Sequence, residues 1–307
     1  MKNNIDYSIF INYLMKGDIL AAKKYKEKYI PSKIYKFMKL PEEKDELLQR
    51  IEQIIKGKIW MSKKRYLNDP FEFEMIDLMQ LSLDERLYYD TCINELEITC
   101  FSEMVYNQAM WGYYASGKYG LCIEFSVENK DMLYPVEYIK EKPDYSKIYK
   151  NFFARKAQFV GDINLKFPHM PSDDHFAIME MLQTMFCYKD LSWKHEKEIR
   201  CILKSEPSEL DKILKNDCEM NCTRGSLHNL SECGIRINKV YFANHKRESV
   251  KELCDYICRN INKERYDEFC CNISNVKYED LQEGVKSGCL SEKYKEIFCG
   301  EINFNKK

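Results

Sequence analysis

The chain has 307 residues, enough to bury a core as one large domain or two modest ones. It is 45% hydrophobic and 32% charged, and 48 basic against 49 acidic side chains leave a formal net charge of −1. That balance offers no global attraction for nucleic acid or an anionic membrane. No apolar run nears the roughly 20 residues of a membrane helix, so no membrane partner is expected.

The elements follow in chain order. Residues 7–28 read as an amphipathic helix or helix pair, with Ile9, Tyr13, Leu14 and Leu20 apolar at helical spacing. Residues 33–40 form a strand candidate. Residues 42–56 are helical, and Gly57 suits the helix end. Residues 58–62 form a short strand, and Asn68-Asp69-Pro70 is a turn by local chemistry. A helix is expected at 83–96, a strand at 97–102, a short helix at 108–115 and a strand at 120–126. Another strand is expected at 133–139, where Pro135 implies an edge or a start. Residues 145–160 read as helix, 166–174 as loop, and 174–187 as a helix whose Met179, Met181 and Met185 suit core filling. Then come a strand at 197–203, a helix at 206–215 and an irregular stretch at 217–231. A strand at 235–243, a helix at 247–262 and a last strand within 266–278 complete the chain, and the residues after Glu279 read as peripheral.

Short strands among helices, without a βαβα rhythm, predict an α+β fold with a mixed or antiparallel central sheet and flanking helices. The expected division is an N-terminal helical extension over 1–30, the α+β domain over 31–280 and a peripheral segment over 281–307.

There are 14 cysteines, and the first residues lack the apolar core of a signal peptide, so a cytoplasmic protein with reduced thiols is expected. The spacings Cys218-x3-Cys222 and Cys254-x3-Cys258 and the pair Cys270-Cys271 do not form zinc knuckles, and no metal is expected.

The chain has no GxGxxG, no P-loop, no HExxH and no GxSxG. Three other segments stand out. In the first, a strand with Trp60 and Ser62 runs into Asn68-Asp69-Pro70-Phe71-Glu72, which is either a ligand-facing turn or a structural corner. In the second, Ser102 and Glu103 end a strand. Met110-Trp111-Gly112-Tyr113-Tyr114-Ala115 then places Trp111 and Tyr114 on one helical face, as stacking rings or as core anchors. The third runs from Lys189 through Trp193 to Glu196-Lys197-Glu198-Ile199-Arg200. On a strand, Glu196, Glu198 and Arg200 would project to one side, as a reactive wall or a solvated face with an internal ion pair.

Together these segments resemble the bacterial family known as domain of unknown function 2971. The likeness spans roughly residues 33–245 and includes Ile34-Tyr35-Lys36-Phe37 and Ile237-Asn238-Lys239-Val240-Tyr241-Phe242. Tyr113 stands where the family usually has His, and Ala243 where it usually has Gly.

The order of elements is also similar to that of ADP-ribosyltransferases, which carry a polar or basic handle on a first strand, Ser on a second and a Glu-x-Glu pair on a later one. Tyr35-Lys36, Ser62 and Glu196-x-Glu198 stand in that order. The resemblance implies Glu198 as the carboxylate on the nicotinamide ribose of NAD and Glu196 as the group that orients the acceptor. It implies Ser62 as a brace of the NAD pocket and Trp111 or Tyr114 as a stacking ring. Asn68, Asp69, Ser102, Lys189, Trp193 and Arg200 complete the candidate ligand-binding set. The expected activity is ADP-ribosyl transfer or NAD hydrolysis, in a toxin or phage-defence effector with a protein or nucleic-acid acceptor. The alternative is a non-catalytic module that binds a nucleotide, another small molecule or a protein.

Overall fold

The computed structural model describes residues 4–39, 46, 49, 53, 56–67, 75–116, 120–161, 172–205, 224–242 and 299–301. The N-terminal helix resolves into a pair. Asp6 caps α1 (Tyr7–Met15) by accepting the Ser8 N–H, and Asp18 caps α2 (Ile19–Glu27) by accepting the Ala21 N–H. Between them Gly17 adopts φ 75°, a left-handed conformation that stops α1. The buried stripe of α1 is Tyr7, Phe10, Ile11 and Leu14, a helical repeat, whereas Ile9 and Leu20 of the expected stripe lie exposed.

Four further helices follow. The helix α3 (Leu83–Asn94) starts at a capping box in which Ser82 and Glu85 satisfy each other's backbone N–H. Downstream lie α4 (Gln108–Tyr114), α5 (Ser146–Gly161) and α6 (Ser172–Thr184), the last beginning inside the stretch read as loop. Of these, α3, α5 and α6 pack into the core shared with α1. Tyr7, Phe10 and Leu14 share one core with Tyr89, Ile93, Tyr149, Met181, Phe186 and Tyr188 and with Ile98 and Ile202 of the sheet. The N-terminal pair is therefore built into the main core. Met181 and Met185 fill it, as their pattern suggested.

The strands are β1 (Lys33–Met38), β2 (Lys58–Lys63), β3 (Leu96–Ser102), β4 (Leu121–Val127), β5 (Leu133–Pro135), β6 (Glu137–Ile139), β7 (Tyr188–Asp190), β8 (Glu198–Lys204), β9 (Gly225–Asn229), β10 (Ile235–Phe242) and β11 (Cys299–Glu301). The fold is α+β with a mostly antiparallel sheet ordered β11-β10-β4-β1-β3-β2-β9, and β8 joins β3 to β5. The only parallel pairs among the described residues are β10 with β11 and β6 with β7. The expected single strand at 133–139 is two, because the Val136 N–H turns to the Glu198 carbonyl. Its first half pairs with β8 and its second with β7.

Three strands were not expected. Tyr188–Asp190 forms β7, parallel to β6. The polar sequence Gly225-Ser226-Leu227-His228-Asn229 forms β9 against β2, and Cys299–Glu301 adds to the sheet edge beside Val240–Phe242. The helices expected at 206–215 and 247–262, the strand expected within 266–278, and Asn68 and Asp69 of the first motif lie outside the described residues. No described helix is long and apolar enough to cross a membrane.

The strand β3 is the node of the sheet. Its whole length pairs with β8 along one edge. Along the other edge β1 meets it only at Ser102, while β2 meets it at Glu97 and Ile98. The sheet thus divides there, leaving the middle of β3 without a strand neighbour on that edge.

Candidate functional site

A cleft of about 780 Å³ is lined by residues of β1, β2 and β3 together with α4, β7 and β8. It brings together side chains far apart in sequence: Tyr35, Lys36, Ser62, Tyr114, Lys189, Glu196, Glu198 and Arg200 all line it. Cys100, Lys58, Tyr66 and Leu227 line it too, although the sequence reading had not assigned them a role.

The two acids reach the cleft from different elements. Glu196 ends a short 3₁₀ turn, Leu191–Glu196, and Glu198 opens β8. Between them Lys197 takes a left-handed conformation, φ 50°, so the pair does not follow the simple alternation of a strand. Both acids are buried, which replaces the expectation of a solvated face. Lys189 Nζ stands between them, 2.5 Å from Glu196 Oε2 and 3.2 Å from Glu198 Oε2. Arg200 Nε donates to Glu198 Oε1 at 2.8 Å, its Nη2 donates to Glu198 Oε2 at 3.3 Å, and its Nη1 donates to the Phe186 carbonyl. The Tyr114 hydroxyl donates to Glu196 Oε1 at 2.8 Å. The backbone N–H of Glu198 donates to the Tyr138 hydroxyl at 2.7 Å.

These contacts set the charge states. Burial opposes ionisation of Glu198, but Arg200 and Lys189, aided by hydrogen bonds from Arg200 and Cys100, hold its carboxyl well below the usual range. Burial likewise opposes a charged Lys189, yet Glu198 and Glu196 raise its pKa. Burial and the Glu196 carboxylate push the Tyr114 phenol up, so it serves as a neutral donor. Burial lowers the pKa of Lys36. Its Nζ donates to Thr99 Oγ1 at 2.6 Å and to the Cys100 carbonyl at 3.3 Å, in the stretch of β3 that has a strand neighbour only in β8.

The remaining candidates take supporting places. Tyr35 lines the wall, and its phenol is shifted up by burial and by the Glu124 carboxylate that it faces in the β1–β4 register. Ser62 Oγ accepts from the indole N–H of Trp60 at 3.2 Å. Ser102 is buried and donates to the Glu196 carbonyl at 2.7 Å, pinning the turn that carries this acid. Trp193 lies 4.8 Å from Lys189 Nζ and stacks on His195. Trp111 does not reach the cleft. Its ring is buried edge-on against Phe37, and its N–H donates to the Val105 carbonyl at 2.8 Å. Of the two rings read as sharing a helical face, Trp111 is the core anchor and Tyr114 faces the acids.

Among the described residues, five cations line the cleft, Lys36, Lys39, Lys58, Lys189 and Arg200, against the three carboxylates Glu46, Glu196 and Glu198. A cavity so lined suits an anionic ligand.

Residues 110–201 match the family model described as protein of unknown function (DUF2971). This is the family that the motifs resembled. The DUF2971 segment runs from α4 into β8 and contains Tyr114, Lys189, Glu196, Glu198 and Arg200. The other wall, on β1 and β2, lies outside the matched residues. No curated protein and no solved structure matches the chain.

Proposed function

We propose that the cleft takes NAD as substrate and cleaves its nicotinamide–ribose bond, as an ADP-ribosyltransferase or an NAD hydrolase. The observation that carries this reading is convergence. Ser62 of β2, Tyr114 of α4 and the Glu196/Glu198 pair line one cavity of about 780 Å³, within the range of small-molecule sites. Among the described lining residues cations outnumber carboxylates, which suits a pyrophosphate.

In this reading Glu198 is kept ionised by Arg200 and Lys189 and faces the ribose carbon where positive charge develops as nicotinamide departs. Glu196, oriented by Tyr114 and Lys189, takes the proton of the incoming acceptor or water. Ser62 braces the nicotinamide side. Such an activity would drain or redirect NAD, which is the basis for expecting a toxin or phage-defence effector.

The test is nicotinamide release from NAD by the purified protein, with Glu198→Gln beside it. Release by the wild type that falls at least about 100-fold in the variant supports the assignment, an effect in the range of a lost electrostatic group. Release unchanged in Glu198→Gln overturns it.

A second reading is favoured by the saturation of the acids. Glu198 already receives Arg200 and Lys189, and Glu196 receives Lys189 and Tyr114. A pocket with its acids so engaged could hold a nucleotide without reacting. NAD binding by calorimetry with no nicotinamide release selects this reading.

A further inference from the structure

The mouth of the cleft carries a second pattern, built from rings and cations. Near the end of β2 the chain reads Lys63-Lys64-Arg65-Tyr66. Here Lys64–Tyr66 form a 3₁₀ turn, and Arg65 and Tyr66 are exposed. The turn is tied to the start of β9, because the Lys63 N–H donates to the Arg224 carbonyl at 3.1 Å. Two guanidinium groups lie near one ring: Arg65 is 4.8 Å and Arg224 5.7 Å from the Tyr66 centroid. Trp60 and Tyr66 line the cleft, yet their side chains remain 47% and 39% exposed. From α4, Tyr113 adds a ring that lines the cleft and is 55% exposed, set edge-on to His195 at 5.9 Å. In a chain of net charge −1, this corner carries Lys63, Lys64, Arg65 and Arg224, while Lys58 lies at the other end of β2.

We propose that this rim binds single-stranded nucleic acid and presents one of its nucleotides to the cleft as the acceptor. The acceptor role rests on the NAD-cleaving reading above.

Rings interleaved with cations are what a single strand needs. Bases stack on aromatic faces while phosphates meet Lys and Arg. A protein partner would call for a contiguous apolar patch, whereas here two guanidinium groups lie close to the Tyr66 ring. A duplex is disfavoured because its bases hide their faces, and only an unstacked base can reach both the rim and the cavity behind it. In the transfer, a base nitrogen or ribose oxygen of the strand forms a bond to the nicotinamide ribose carbon as the nicotinamide–ribose bond breaks. Nicotinamide leaves neutral with the electron pair of that bond, and the proton of the acceptor passes to Glu196.

Binding is measured without NAD, by fluorescence anisotropy on labelled oligo(dT) and oligo(U) of about 16 nucleotides, with a duplex as competitor. The expected result is binding of a single strand, weakened by salt and poorly competed by duplex. Tyr66→Ala and the double charge reversal of Arg65 and Arg224 to Glu should each weaken it at least about fivefold, the loss of one stacked base. Should Tyr66→Ala lower the melting temperature, Tyr66→Leu keeps the volume without the stacking face and is expected to lose binding alike, while Tyr66→Phe retains it.

No binding at low salt, binding indifferent to these variants, duplex bound as well as single strand, or ADP-ribose found on protein while oligonucleotide stays unlabelled would each overturn the proposal. The DNA and RNA arms identify the strand. Oligonucleotide binding with no nicotinamide release removes the NAD reading and leaves the rim standing. Release without oligonucleotide binding does the reverse.

Discussion

Glu196 and Glu198 share one ammonium group: Lys189 Nζ lies 2.5 Å from an oxygen of the first and 3.2 Å from an oxygen of the second. The left-handed turn at Lys197 makes this geometry available, at a cost of about 1 kcal/mol for a residue with a Cβ. All three groups are buried, so their pairing has little solvent screening.

Removing that cation should therefore be costly. Lys189→Met keeps most of the volume but leaves two buried carboxylates facing each other, with Arg200 serving Glu198 alone. A loss of about 3–5 kcal/mol is expected from urea denaturation at neutral pH. The loss should shrink at acid pH, where one carboxylate can take up a proton.

Two carboxyl groups should give opposite pH signatures. Glu198 has a folded pKa below its unfolded value of about 4.3, so its stabilisation is present above that pH and is lost as pH falls. Glu97 and Glu124, both also shifted down against the effect of burial by their hydrogen-bond donors, add to the same acid loss. Glu137 behaves in reverse. Burial raises it to about 7 despite the hydrogen bond from the Tyr7 N–H. Its contribution is complete below about pH 4.3 and disappears as pH rises through about 7. Glu137→Gln should flatten the stability profile between those limits and leave the acid limb intact, as read from melting temperatures across the range.

The β2–β9 pairing should not tolerate a side chain at Gly225. A Cβ there would run into the carbonyl oxygen of Met61 on the neighbouring strand, which is backbone and cannot rotate away. Gly225→Ala is expected to lower stability by about 1–3 kcal/mol, measured by chemical denaturation. It should also displace Arg224, the preceding residue, and so weaken oligonucleotide binding.

Tyr114→Phe isolates one hydrogen bond to an ionised acceptor. The ring stays, and the 2.8 Å contact to Glu196 Oε1 is lost. Nicotinamide release should fall by about 10-fold or more with the fold intact, matching the roughly 1.5–3 kcal/mol of a bond to a charged group. Undiminished release would remove Tyr114 from the positioning of Glu196.

The elements that the sequence revealed clearly were those with strong local patterns. Strand β4 is a dense run of β-formers, and α3 announces itself by the Ser82/Glu85 capping box. Strand β9 was hidden because Gly225, Ser226 and Asn229 have low strand propensity, and its pairing depends on a backbone approach that only glycine permits. The buried stripe of α1 was misread because Tyr7 stands at the helix start, where its role depends on packing against Tyr188 and a hydroxyl bond to Pro135. At the site, residue types pointed to Glu196, Glu198 and Arg200, but not to their burial. That depends on α4 and β7, which deliver Tyr114 and Lys189 from remote positions. Tyr66 escaped notice because its distinction is having Arg224, far along the chain, beside it.

The divided edge of β3 has a chemical consequence. No ladder joins β1 to β2 among the described residues, so the two wings of the sheet meet only through β3. In the gap between them the ammonium of Lys36 supplies hydrogen bonds to the Thr99 hydroxyl and the Cys100 carbonyl. A charged side chain stands there in place of a strand, and it lines the cleft.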